Sequence, residues 1–210
     1  MDIAGYLPLF LTAYAILLVG ALSPGPAVAL LLGIATRQGR GAALVATGGI
    51  ALGSSTINLL TIVGVGLVLS QAAWAMMGLK LAGTLYLIWL AWGSFEKALR
   101  PPSVSVAEAP RSGTGKLFAT GYLLQVTNPK AIAFWLAISA VGATANAGPA
   151  IIAAFVAGGF AISFLCHAAW SVLLSTRTVR SAYHAARRWI EGALGALFTL
   201  FAFKLATSGR

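Results

Sequence analysis

Apolar residues along this chain follow neither the alternation of a half-buried strand nor the one-sided stripe of a surface helix. They run on for whole segments, roughly 7–34, 42–69, 73–95, 117–144, 150–175 and 189–207. Apolar runs of about 20 residues are long enough to cross a bilayer as helices. The pattern therefore predicts an all-α fold, a polytopic membrane protein with six transmembrane helices. Pro8 and the Gly148-Pro149 pair open the first and fifth segments, where first-turn prolines are tolerated.

Two segments are interrupted near their middles. The first holds Ser23-Pro24-Gly25-Pro26, and the fourth holds Gln125-Val126-Thr127-Asn128-Pro129-Lys130. Proline has no N–H, so Pro24, Pro26 and Pro129 free the carbonyls of Gly20, Leu22 and Gln125 from helical partners. Gly25 lets the backbone turn between its flanking prolines. Lys130 puts a cation where membrane insertion costs about 2.5–3.5 kcal/mol. A simple anchor needs none of this. Pro24 lies thirteen residues before Arg37, and Pro129 lies thirteen after Lys116. Both breaks then sit roughly 20 Å from the flanking charges at Arg37 and Lys116, close to the bilayer midplane.

Charge sets the orientation. Only 9% of residues are charged, and the net charge is +10. The mean hydropathy of +0.90 excludes an ordinary soluble domain. The cations do not interleave with aromatics as a nucleic-acid surface would. They collect between apolar runs at Arg37 and Arg40, at Lys97, Arg100, Arg111 and Lys116, and at Arg177, Arg180, Arg187 and Arg188. With six crossings these all fall on one face, which the positive-inside rule makes cytoplasmic, leaving both termini outside. Lys80 and Lys204 lie near the opposite face, where long side chains snorkel. Arg177, Arg180, His184, Arg187 and Arg188 are expected against anionic lipid headgroups. Trp74, Trp89, Trp92 and Trp189, near segment ends, fit an interfacial belt.

A Pro-, Ser- and Gly-rich stretch then divides the chain into a first three-helix repeat at 1–97, a cytoplasmic linker at 98–116 and a second repeat at 117–210. Three crossings per half give the halves opposite orientation, the arrangement of an inverted repeat.

Elsewhere each polar position has a bland reading beside the functional one. Thr47, Ser54, Asn58 and Thr61 share one helix face, and Gly49 and Gly53 form a GxxxG pair. Both features suit helix packing, with Ser54 and Asn58 as candidates for cavity lining. Ser163, His167 and Ser171 share another face. His167 either bonds a neighbouring helix or carries protons. Tyr122 and Gln125 extend the polar stripe towards Asn128. Lys130 is either functional or satisfied by the carbonyls freed around the prolines. Asp2, Glu96, Glu108 and Glu191 all read as lying outside or at the edges of the membrane core, with Arg187 and Glu191 a surface pair four residues apart. Lys130 would then have no carboxylate partner. Cys166 is the single cysteine, which excludes an internal disulfide and a Cys-based zinc site. Neither a nucleotide loop, nor a metal-ligand spacing, nor a nucleophile–base pair stands out, so no cofactor, metal or enzymatic activity is expected.

The motifs resemble those of the LysE/RhtB amino-acid exporters. Ser23-Pro24-Gly25-Pro26, Gly39-Arg40-Gly41, Gly49-Ile50-Ala51-Leu52-Gly53 and Leu79-Lys80-Leu81-Ala82-Gly83-Thr84-Leu85-Tyr86-Leu87 are similar to the first half of that family. Gly121-Tyr122-Leu123-Leu124 and Thr127-Asn128-Pro129-Lys130-Ala131 are similar to the second, with its Asn-Pro-Lys signature. The likeness covers about 20–136 well and the last two helices by pattern. Ser54 stands where many members carry an acid, and Ala27 where many carry a polar residue. The resemblance implies a bacterial inner-membrane exporter of amino acids or close derivatives, driven by the proton motive force.

The expected mechanism is alternating access with proton antiport. Ser23, Pro24, Gly25, Pro26, Tyr122, Gln125, Thr127, Asn128, Pro129 and Lys130 are the candidate substrate-binding residues. The carbonyls of Gly20, Leu22 and Gln125 would hold the substrate ammonium, and Lys130 its carboxylate. Lys130 and His167 are the candidates for proton coupling. The alternatives are an exporter of another small solute or a non-transporting membrane subunit, and the sequence leaves homodimerisation open. The charge pattern generates a direct test. Cysteines introduced at Ser103 and Ser181 are protected from an impermeant thiol reagent in intact cells, whereas one at Asn146 reacts. Labelling of either of the first two from outside overturns the orientation.

Overall fold

The computed structural model describes residues 3–69, 73–100 and 112–207. All regular structure among them is helical: a short 3-10 turn at Ile3–Tyr6, then α1 (Leu7–Leu22), α2 (Pro26–Leu69), α3 (Ala73–Leu99), α4 (Thr114–Val126), α5 (Pro129–Ala140), α6 (Pro149–Leu173) and α7 (Arg177–Thr207). Most of the expected linker, with Ser103, Glu108 and Arg111, falls outside the described residues, as do Asp2 and the side chains of Trp74, Lys80 and His184.

Among the described residues three helices are long and apolar enough to cross a membrane, at Pro26–Gly64, Pro149–Leu173 and Ala185–Thr207, and Leu7–Leu22 and Pro129–Ser139 are shorter apolar helices. The short ones end for local reasons. At 16 residues, α1 reaches only about 24 Å. Ser23 then takes an extended conformation (ψ 135°), and α2 begins at Pro26. The 13 residues of α4 stop before Thr127, and Asn128 (ψ 110°) caps α5 by accepting the Lys130 backbone N–H at 3.1 Å. Pro129 is thus the first residue of its helix, where its missing N–H costs nothing. Pro8 and Pro149 open α1 and α6 in the same way.

Gly39 breaks α2 with φ 82°, a left-handed conformation open to glycine. The connection expected around Arg37–Arg40 is therefore a single residue. At that end Gln38 Oε1 accepts the Ser112 backbone N–H at 3.1 Å. At the other end Tyr6 OH approaches the carbonyl of Asn146 at 3.4 Å. The last helix begins well before the segment expected from hydropathy. Arg180, read from sequence as a headgroup contact, instead donates to the carbonyls of Leu174 (3.0 Å) and Ser175 (3.3 Å) and caps the end of α6.

Polarity is arranged inside out. Leu60, Met77, Leu81, Trp92, Trp189 and Phe203 are exposed, while Thr47, Ser54, Asn58, Gln125, Ser163, His167 and Glu191 are buried. Such an apolar exterior suits a lipid surround, where the interior must satisfy its own polar groups. The principal packings are α2 on α4, α2 on α6 and α3 on α7. Small residues make the first possible. A Cβ on Gly49 would strike the Phe118 carbonyl, one on Gly121 would strike the Ala46 carbonyl, and one on Gly53 would lie 2.9 Å from the Tyr122 carbonyl. The Gly49/Gly53 pair is thus a close-approach surface. Between α2 and α6, Thr47 and Ser171 share a buried hydroxyl–hydroxyl bond of 2.8 Å.

Gly49→Ala and Gly121→Ala should therefore each destabilise the protein by about 1–3 kcal/mol or more through overpacking. Gly93→Ala, whose Cβ meets nothing within 4 Å, should leave the melting temperature unchanged or raise it. Equal melting of all three in detergent would contradict this packing.

Candidate functional site

The two interruptions meet. Lys130, the second residue of α5, extends its side chain to the other break, where Nζ donates to the carbonyl of Ser23 at 2.7 Å and approaches that of Pro24 at 3.4 Å. Gly25 admits it: a Cβ there would lie 3.1 Å from Nζ and 3.3 Å from Cδ. The bland expectation for Lys130, solvation by backbone carbonyls, is thus met at Ser23 and Pro24.

Two of the carbonyls expected to hold a substrate ammonium already accept one hydrogen bond each. Gly20 O accepts the Ser23 hydroxyl at 2.9 Å, and Gln125 O accepts the Asn128 backbone N–H at 3.1 Å. Each break closes on itself as a local turn there, and each of these oxygens keeps a second lone pair. The side chain of Leu22 is 44% exposed, on the outer side of its helix.

Lys130 forms part of the wall of a cavity of about 40 Å³, shared with Ser23, Gly25, Ser54, Gln125, Asn128 and His167. These come from both expected repeats. Pro24 and Pro26 line a second cavity on the other side of the break. Tyr122, Thr127, Pro129 and Asn58 line neither. Tyr122 OH lies 3.4 Å from Thr56 Oγ1, and Thr127 is exposed, its hydroxyl donating to the Leu123 carbonyl of its own helix at 2.8 Å.

Two aromatic side chains complete the first wall. Trp135 Nε1 donates to Ser54 Oγ at 2.9 Å, with both residues buried. Phe134 lies over Gly20, where a Cβ would come within 2.8 Å of its ring. Neither aromatic stood out in the sequence, since both sit in an unbroken apolar run. Their placement four and five residues beyond Lys130, on the helix that starts at the break, was the available signal.

The wall also carries polar atoms with nothing to bond. Among the described residues Gln125 Oε1 and Ser163 Oγ are buried without a hydrogen-bond partner, as are both amide atoms of Asn58, which lies near Gly159 and outside the cavity lining. An unsatisfied buried polar atom costs about 1–3 kcal/mol, so two around one cavity suit a polar occupant. His167 is also buried, and its Nδ1 lies 2.8 Å from the Ser163 carbonyl. A carbonyl only accepts, so this contact places the proton on Nδ1.

The second cavity, about 230 Å³, opens on the basic side of the first break. Pro24, Gly25, Lys97, Tyr183, Arg187 and Glu191 are among its walls. Here the sequence reading of Glu191 is wrong. It is 1% exposed, not a surface residue, and Arg187 Nε stands 3.9 Å from its carboxylate. Spacing suggested a solvated pair, but the turn of α7 points Glu191 inward over the break. Its position inside the apolar run Trp189-Ile190-Glu191-Gly192-Ala193-Leu194 was the overlooked sign. Lys130 and Glu191 line neighbouring cavities that share Gly25 and Val28.

The sequence profile described as LysE type translocator matches residues 18–209. The threonine efflux protein of Escherichia coli (strain K12) is 30% identical over 209 residues, covering 96% of this chain and 99% of the relative. The threonine efflux protein of Salmonella typhi is 29% identical over the same shares. No solved structure matches the chain.

Proposed function

This chain belongs to the LysE type translocators, and on that premise we propose that it exports a small amino acid, threonine or a close relative, by proton antiport. The observation that carries this reading is the Lys130 ammonium, drawn from one break to the Ser23 carbonyl of the other at 2.7 Å, in the wall of a cavity lined by unpartnered polar atoms. The substrate is suggested by the relatives named as threonine efflux proteins.

A carboxylate suits this site on three counts. α2 and α5 both begin at the cavity, so the positive ends of two helix dipoles converge there. Lys130 adds a full charge. Once a carboxylate takes over the ammonium, the carbonyls of Ser23 and Pro24 become available to the substrate's own ammonium. Gln125, Asn128 and Ser163 supply hydrogen bonds for the remaining polar groups. A cavity of about 40 Å³ holds a few waters and not threonine, so this conformation is a closed one. Exchanging one set of carbonyl contacts for another would open it. Lys130, charged with the substrate present and able to release its proton on departure, couples the two flows, with His167 as the second candidate.

The six-crossing inverted repeat draws support from the packing. Cut at Gly39, α2 gives the residues completing the first crossing and then the second crossing at 40–69. Exchange of the halves maps the α1–α6 and α1–α5 contacts onto α4–α2 and maps α2–α6 and α3–α7 onto themselves. Alternating access would rock these halves about the paired breaks, in the bacterial inner membrane with both termini outside.

The test is efflux from proteoliposomes loaded with labelled L-threonine. Efflux should exceed that from protein-free vesicles, accelerate when the outside is acidified, and acidify the lumen. No movement of threonine or any other small amino acid would favour the non-transporting subunit, and movement without proton flux would remove the antiport.

A further inference from the structure

Among the described residues Glu191 is the most deeply buried charge outside the central site, and the export reading so far gives it no role. It sits in the cavity between the first break and α7, with Oε1 buried and lacking any hydrogen-bond partner among the described residues. Arg187 Nε is 3.9 Å away, beyond hydrogen-bond length. A buried carboxylate left that way is costly unless something completes its shell. Lys97 and Arg187 supply two cations to the same walls. One anion and two cations around one small cavity match the two ends of a zwitterion better than a simple anion or cation.

Size points the same way. This cavity, about 230 Å³ and open on one side, accommodates a small amino acid, whereas the central one at about 40 Å³ does not. The two share Gly25 and Val28, and the Lys130 contacts with Ser23 and Pro24 lie between them. A solute arriving from the basic side meets Glu191 before it meets Lys130.

We propose that this cavity is a separate vestibular binding site for the amino-acid substrate on the cytoplasmic side. Glu191 takes the ammonium there, and Lys97 and Arg187 take the carboxylate. The inference rests on the export reading and names a step within it: the substrate docks at Glu191, then passes the Lys130 closure. Filling the vestibule needs no conformational change, while passage inward requires the break to open.

The test separates the two faces of the membrane. Uptake of L-threonine into inverted vesicles reports the cytoplasmic face, and exchange in right-side-out vesicles reports the other. Glu191→Gln should raise the cytoplasmic KM about tenfold or more, the loss expected for a hydrogen bond to a charged group. The outer-face KM should stay within about twofold of wild type, since that site is reached from the opposite side. Lys97→Met, at an exposed position, should act in the same direction and decides the matter if Glu191→Gln fails to accumulate. An unchanged cytoplasmic KM overturns the vestibular site, and so does an equal rise at both faces. Absence of threonine movement by the wild type would instead overturn the export reading beneath it.

Discussion

An ammonium group inside an apolar protein must be solvated by something, and that requirement organises this molecule. Leaving Lys130 unsolvated would cost several kcal/mol. The protein meets it with backbone carbonyls, Ser23 at 2.7 Å and Pro24 at 3.4 Å, exposed because α1 stops at Leu22 and α2 starts only at Pro26. The turn between α1 and α2 thus accommodates the cation carried at the start of α5. Gly25 follows from the same constraint, since a side chain there would crowd the lysine. Neither break would serve this purpose alone.

The breaks and the frame around them are held differently. Around the breaks the backbone is held by short turns, Ser23 N–H on Val19 O at 2.9 Å and Asn128 N–H on Gln125 O at 3.1 Å. Each such turn is closed by hydrogen bonds within a few residues of the break. The surrounding contacts run between helices: α2 and α4 touch backbone to backbone through Gly49 and Gly121, and Tyr14 OH reaches the Phe155 carbonyl at 2.9 Å to tie α1 to α6. A close-packed frame thus surrounds two short turns.

Much of this was legible beforehand. Long apolar runs give helices, and a proline beside a lysine in the middle of one marks a break with a purpose. The likeness to LysE/RhtB exporters rested on short motifs, and the profile match over 18–209 bears it out. What escaped notice depended on rotation about helix axes. Four-residue spacing makes Arg187 and Glu191 neighbours without saying which way they face, and tertiary packing turned Glu191 inward. Thr127 and Asn128 are adjacent in sequence, yet the turn sends one outward and makes the other a helix cap. Trp135 looked like one more apolar residue until the structure placed its indole N–H on Ser54.

Isothermal titration of the purified protein with L-threonine, wild type against Lys130→Met, bears most directly on the role of Lys130 at the paired breaks. Methionine keeps most of the apolar stem and removes the charge. If Lys130 provides the central carboxylate contact, the heat of the tight binding event disappears in Lys130→Met while the protein still purifies as a folded species. Threonine binding by a folded Lys130→Met with wild-type affinity and heat would contradict that role and leave the lysine as a strut between the halves.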